Sequence, residues 1–349
     1  MTTAILFGGA SYEHEISIVS AIALKKVMKK RPIFIFLDAK GDFYHIPDEQ
    51  MKSDHFSSGG YKKNDRLHLA RGGFEKRGLL KSKKLEGFDV VLNLIHGGQG
   101  EDGTIAALLD FYDIAYIGPR KEASVISYNK WLTKLYAEGI GVETVEYQLL
   151  HMDDKREMDF GYPIIVKPLR LGSSIGVSIV KSEEDLDFAL DVAFEFDEEV
   201  LIEPFIEGVE EYNVAGCRLG EKWIFSRIEA PKKSEFLDFD QKYLDFSRTE
   251  SVQEADIPDS LESDLKDTFK KVYDKTFDGA LIRCDFFFAS GEIMLNEINP
   301  IPGSMANYLF DDFNGVLERL ASHLPRQRMI RPDYAYIDKV QSAKGPKAR

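Results

Sequence analysis

The sequence predicts a chain of mixed class, α/β in its first third and α+β beyond, and three observations carry that reading. Strand and helix patterns alternate from Ala4 to Ile117. From Val145 to Arg218, strand patterns are separated by loops bearing glycine, serine or proline. Near the end, two apolar runs flank Ser290-Gly291 as a hairpin. With 349 residues the chain exceeds one typical domain of ~100–200 residues, so two or three domains are expected.

The elements follow in order. Ala4–Phe7 reads as a strand, Gly8-Gly9 as a turn, Ile16–Met28 as a helix with apolar residues at helical spacing, and Ile33–Leu37 as the next strand, a βαβ start. From about Pro47 to Lys84 the chain is polar and rich in Gly, Lys and Ser, which predicts an irregular connection. Asp89–Ile95 is a continuous apolar run, as in a strand covered on both faces, and His96-Gly97-Gly98-Gln99-Gly100 ends it. A helix near Asp102–Tyr112, the strand Ala115–Ile117 and the Gly118-Pro119 turn complete a doubly wound first domain. Helical spacing resumes from Ser124 to Glu138. Two strands then lead to Lys167, and Gly172-Ser173-Ser174-Ile175-Gly176 joins the second to another strand. A helix over Ser182–Phe196, capped by Ser182, precedes the strands Val200–Glu203 and Tyr212–Arg218.

Composition narrows the function. The net charge is −14, with no clustered Lys and Arg of the kind a nucleic-acid face requires. No apolar run approaches ~18 residues, so no membrane span is expected, and Met1 leads directly into a strand without a leader pattern. Cys217 and Cys284 sit in strand-like apolar surroundings, outside any metal pattern. A cytoplasmic enzyme is expected.

The hairpin carries the most chemistry. A two-residue loop at Ser290-Gly291 would set Asp285 opposite Asn296 and turn Glu297 to the far face. A three-residue loop with Gly291 left-handed sets Arg283 opposite Glu297, with Asp285 and Asn299 on the same face, and that loop is the expectation. Three oxygen donors beside a guanidinium then read as a Mg²⁺ site with its phosphate partner; the alternative is an ion pair, Arg283 to Glu297. The Gly172–Gly176 loop is no P-loop, because its lysine precedes the glycines and a strand follows them. Its backbone N–H groups can wrap phosphate beside Lys167, or it is an ordinary hairpin tip. The turn Pro204-Phe205-Ile206 with Glu210 reads as a purine and ribose site or as an acidic surface turn.

Together these segments resemble the D-alanine:D-alanine ligases of the ATP-grasp superfamily. The likeness rests on Gly8-Gly9-Ala10-Ser11 with Glu13 and Glu15, His96 to Gly103, Lys167-Pro168 with Gly172 to Gly176, Glu203 to Glu210, Lys242-Tyr243, Arg283-Cys284-Asp285 and Glu297-Ile298-Asn299. It implies an ATP-grasp fold preceded by a Rossmann-like N-terminal domain, with domains at 1–120, 121–200 and 201–325 and a basic extension at 326–349. The implied reaction joins two D-alanine molecules through a D-alanyl phosphate, consuming ATP, for peptidoglycan precursors. Asp285, Glu297 and Asn299 would hold two Mg²⁺ ions, with Mn²⁺ as an alternative ion. Lys130, Lys167, Ser173 and Ser174 would hold ATP phosphates, and Glu203, Pro204, Phe205, Ile206 and Glu210 its adenine and ribose. Glu15 would take the first ammonium, Ser173 and Tyr243 would complete a triad, and Arg283 with the Gly303 backbone would stabilise the developing charge. His96, Lys242, Tyr308 and Leu309 would contact substrate.

Three positions depart from the family pattern: Asn129 before Lys130, Asn299-Pro300-Ile301-Pro302-Gly303-Ser304-Met305, and Tyr308-Leu309 where many members place serine and leucine. The segment from about Lys232 to Arg248 is expected to be a lid, and the resemblance implies a homodimer through the N-terminal domain. Two rival functions use the same scaffold: ligation of D-alanine to D-lactate or D-serine, and nucleotide binding without catalysis. Tyr243 favours an amine nucleophile.

Overall fold

The structure, a computed structural model, describes residues 1–78, 81–231, 252, 254–325 and 331–343. Three sheets organise it. The first contains β1 (Thr3–Gly8), β2 (Ile33–Leu37), β3 (Phe43–Ile46), β4 (Arg66–Ala70), β5 (Gly73–Lys76), β6 (Lys83–Lys84), β7 (Val90–Asn93) and β8 (Tyr116–Ile117), in the order β6-β5-β4-β3-β2-β1-β7-β8. Strands β2, β1, β7 and β8 are parallel. Side chains alternate in a strand, so Ile5 and Phe7 of β1 join one core and Ala4 and Leu6 another. Helix α1 (His14–Val27) covers the first face with Ile18, Ala21 and Leu24, and a helix at Thr104–Phe111 covers the second with Ile105, Ala106 and Leu109. This is the doubly wound arrangement expected.

The polar stretch after Pro47 is not irregular. It holds α2 (Ser53–Ser57) and strands β4 to β6, which extend the sheet antiparallel from β3. Its apolar residues are few but placed to count: Phe56, Leu67 and Phe74 are buried. The alternation in Arg66-Leu67-His68-Leu69 was the available strand signal, and the overall polarity hid it.

The Thr104–Phe111 helix is α3. The expected helix over Ser124–Glu138 is two, α4 (Lys121–Tyr128) and α5 (Lys130–Gly139). Asn129 breaks them with an extended backbone (φ −97°, ψ 111°), and its side chain accepts from the Leu132 N–H at 3.0 Å as the α5 cap. The second sheet contains β9 (Gln148–His151), β10 (Ile164–Pro168), β11 (Ser178–Val180) and β12 (Glu199–Pro204), all antiparallel, in the order β11-β10-β12-β9. Its covering helix α6 begins at Leu186 rather than Ser182, after a short 3₁₀ turn at Glu183–Asp185, and Ser182 forms no side-chain cap.

The third sheet contains β13 (Glu210–Leu219), β14 (Lys222–Phe225), β15 (Ile282–Ala289) and β16 (Glu292–Asn299), in the order β14-β13-β15-β16. Helix α7 (Asp259–Tyr273) buries Leu265, Phe269, Val272 and Tyr273 in the core that also takes Ala215, Cys217 and Ile282. Helix α8 (Phe313–Ser322) follows, and α9 (Ala335–Ala343) ends the described chain with Tyr336 80% exposed. Residues 200 and 201 both lie within β12, and α4 and α5 pack on β16.

Candidate active site

The hairpin reaches its expected face by a different route. Its loop is two residues, with Ala289 paired to Glu292 and both Ser290 (φ 54°) and Gly291 (φ 85°) left-handed. A bulge between Asp285 and Phe286 then shifts the register, so Asp285 faces Glu297 and Arg283 faces Asn299. The expected three-residue loop is therefore corrected. The four side chains still share one sheet face, because the extra residue is inserted at the bulge instead of at the turn.

On that face Arg283 grips Asp285 with two hydrogen bonds, Nε to Oδ1 at 2.6 Å and Nη2 to Oδ2 at 2.7 Å. Asn299 Nδ2 donates to Asp285 Oδ2 at 3.1 Å and Glu297 Oε1 at 3.3 Å. Burial pushes the Asp285 carboxyl up to about 7 against the pull of Arg283, and the nearby Glu297 adds to the rise. Glu297 favours the charge of Arg283 and of Lys130, so the face gathers two carboxylates beside the guanidinium. Among the described residues no three His, Cys, Asp or Glu side chains gather as a metal site. A hard cation fits this face if the Asn299 amide turns its oxygen inward and phosphate oxygens complete the shell, which suits Mg²⁺.

The second sheet has the opposite balance. Lys167 and Glu203 lie on the face of β10 and β12 turned away from the α6 core, as diagonal neighbours, since Ile165 pairs with Glu203. Glu203 is buried between Lys167 at 2.5 Å and Lys134 of α5 at 2.5 Å. Burial alone would raise its carboxyl, but the two ammonium groups outweigh that and hold it below its ordinary range. Lys130, at the start of α5, donates to the carbonyls of Pro168 (3.0 Å) and Leu171 (2.5 Å) at the mouth of the glycine-serine loop. Burial brings it down to about 8, although Glu297, Glu13 and Glu203 all favour its charge.

The first sheet closes the third side. Ser173 Oγ donates to Glu13 Oε1 at 2.6 Å, tying the loop after β1 to the loop after β10. A β-carbon on either flank would crowd that carboxylate: at Gly97, which is also left-handed (φ 64°), it would lie 2.5 Å from Glu13 Oε2, and at Gly172 it would lie 3.0 Å from Oε1. Burial raises the Glu13 carboxyl. Glu15, the residue expected at this place, is exposed on α1, so Glu13 takes its position. Beside it, buried His96 places Nε2 3.2 Å from Ser20 Oγ, and Ser20 Oγ accepts from the Ser304 N–H at 3.2 Å. Burial lowers the His96 ring to about 4, so it is neutral. Ser304, Met305 and Ala306 are left-handed (φ 47°, 53°, 50°) and buried in the turn that opens at Gly303, a conformation costing roughly 1–2 kcal/mol per residue.

The remaining expected residues have the following surroundings. The Phe205 N–H donates to the Pro163 carbonyl at 3.0 Å, so that amide does not read a base edge. Pro204 and Ile206 are half-buried beside it, and Glu210 is exposed at the start of β13. Glu203, expected toward adenine, is occupied by two lysines. Tyr308 Oη accepts from Arg283 Nη1 at 3.4 Å, while the Leu309 side chain is fully buried in the core. Ser174 is left-handed beside Ser173. Lys242, Tyr243 and the expected lid lie outside the described residues. The sequence reading missed Ser20 and Lys134; only Lys134 left a signal, standing one helical turn after Lys130.

A carboxylate-bearing hairpin and a lysine-rich sheet, bridged by α5 and preceded by a mixed sheet with helices on both faces, define an ATP-grasp ligase, a class that uses ATP and a divalent metal. Family models of the D-ala D-ala ligase N-terminus and C-terminus match residues 2–119 and 137–312. The chain belongs to the D-alanine–D-alanine ligase family. The D-alanine–D-alanine ligase of Wolinella succinogenes is 58% identical over 345 residues, 99% of this chain and 100% of that one. That of Nitratiruptor sp. is 57% identical over 344 residues, again 99% and 100%. Among solved structures, the D-alanine–D-alanine ligase of Helicobacter pylori aligns with a TM-score of 0.84 and 51% identity, covering 94% of this chain and 100% of that one. The VanG D-Ala:D-Ser ligase of Enterococcus faecalis aligns with 0.74 and 25%, covering 92% and 98%. No helix among the described residues is long and apolar enough to cross a membrane.

Proposed function

We propose that this chain joins two D-alanine molecules into D-alanyl-D-alanine, converting ATP to ADP and phosphate by way of a D-alanyl phosphate, in the cytoplasm and for peptidoglycan precursors. The observation that carries the reading is the 2.6 Å contact of Ser173 with Glu13, which puts a buried carboxylate suited to an amino acid's ammonium against a loop suited to phosphate. Asp285, Glu297 and Asn299 would hold two Mg²⁺ ions, or Mn²⁺ in their place, which supply positive charge to the phosphate oxygens.

The chain's own residues do the rest. Lys130 and Lys167 hold the phosphates, with the Ser173-Ser174 backbone around them. Glu13 orients the first D-alanine, and His96, neutral and locked by Ser20, shapes the pocket wall beside it. Arg283 and the Gly303 N–H stabilise the oxygen that gains charge when the second amino group attacks the acyl carbon. Glu203 to Ile206 and Glu210 flank the base and sugar. Lys242, Tyr243 and Tyr308 meet the second substrate, and Leu309 shapes its wall by packing. The active form is a homodimer joined through the N-terminal domain.

The test is ADP release by the purified protein with ATP and Mg²⁺, given D-alanine alone and then D-alanine with excess D-lactate or D-serine, with products identified by mass. Dipeptide from D-alanine alone, with little mixed product, is the expected result. Dominant mixed product would reassign the second substrate, and no turnover would refute the ligase reading.

A further inference from the structure

Helix α5 sends two lysines one turn apart toward the site, and the proposed mechanism uses only Lys130. Lys134 is 2% exposed, and its ammonium reaches Glu203 Oε1 at 2.5 Å and the Val145 carbonyl at 3.0 Å. The other Glu203 oxygen accepts from Lys167 at 2.5 Å. One carboxylate, 3% exposed, therefore holds two cations.

The two cations are not equivalent. Lys134 is anchored inside the protein by a carbonyl as well as the carboxylate, and its Nζ stands 5.8 Å from the Tyr147 ring centre. Lys167 is 15% exposed and stands next to the last residue of β10, close before the glycine-serine loop. If Glu203 had Lys167 alone, moving that ammonium to a phosphate would strand a buried, unpaired carboxylate, which is strongly unfavourable. With Lys134 fixed in place, Glu203 stays compensated and Lys167 is free to exchange partners.

We propose that Lys134 is a positioning residue of the nucleotide site, the permanent counter-ion of Glu203 that lets Lys167 leave for a nucleotide phosphate. The inference rests on the nucleotide reading given above. It assigns Lys134 no contact with substrate; its effect passes through Glu203 to Lys167.

A double-mutant cycle on the full chain tests this, with Kd for ADP in the presence of Mg²⁺ measured by calorimetry and KM for ATP separated from kcat. Lys134→Met should weaken ADP and raise the ATP KM by about tenfold, with a much smaller change in kcat, and Lys134→Arg should restore both. In a Glu203→Gln background the same Lys134→Met change should have almost no effect on ADP, because no buried carboxylate remains to hold Lys167 back. Should Lys134→Met not fold, Lys134→Gln replaces it in the same cycle, since its amide still donates to Val145. Equal weakening in both backgrounds, or unchanged ADP affinity in Lys134→Met, overturns the proposal. Wild-type protein that binds no ADP overturns the nucleotide reading and this inference with it.

Discussion

The hairpin of the third sheet and the facing strands of the second each bury acidic side chains among cations, in opposite proportion. On the hairpin, Asp285 takes Arg283 in a two-bond pair and Glu297 adds a second carboxylate that favours the charge of both Arg283 and Lys130; on the second sheet, Glu203 alone takes Lys134 and Lys167. The first face is the richer in carboxylates and the second the richer in ammonium groups. A buried charge imbalance is costly in isolation and is offset by a ligand of the opposite sign. One face is thereby suited to a divalent cation and the other to phosphate, and ATP with its metal presents both together.

The comparison breaks most severely on the hairpin. Glu297→Gln removes one of two carboxylates at almost constant shape, and steady-state ADP release should fall by about 10³-fold or more while the thermal midpoint changes little. An activity within tenfold of wild type would show that the face is only an ion pair. The next largest effect separates two neighbouring acids: Glu13→Gln should raise the KM for D-alanine by about 10²-fold, because it removes a buried charge, whereas Glu15→Gln on the exposed side of α1 should leave it within about twofold.

Lys130 sharpens the second face through pH. Its ammonium loses its proton near 8, so the charged, phosphate-binding form predominates below that pH and disappears above it. At saturating D-alanine, kcat/KM for ATP should therefore fall about tenfold per unit above pH ~8, and Lys130→Arg, charged throughout, should abolish that decline. A decline unchanged in the arginine variant would assign it to another group.

The sequence made the parallel core of the first sheet legible, since Ala4–Phe7 and Val90–Leu92 are apolar on both faces. It also made the hairpin's four polar residues legible as a group. It misjudged how they meet, because a bulge and a longer turn produce the same sidedness and only the backbone distinguishes them. Polar composition concealed β4 to β6, whose few apolar residues pack against neighbours distant in sequence. Glu13 was named among the motifs but its role went to Glu15: two acids in one loop look alike until burial between Gly97 and Gly172 separates them. Ser20 gave no signal, since its partners His96 and Ser304 lie 76 and 284 residues away.

The charge comparison between the two faces is tested most directly by measuring cation and nucleotide binding separately in the same two variants. Mn²⁺ binding would be followed by electron paramagnetic resonance and metal-free ADP binding by calorimetry, in Glu297→Gln and Lys167→Met. The account predicts that Glu297→Gln loses Mn²⁺ and keeps ADP, while Lys167→Met keeps Mn²⁺ and loses ADP. Equal loss of both ligands in either variant would contradict it.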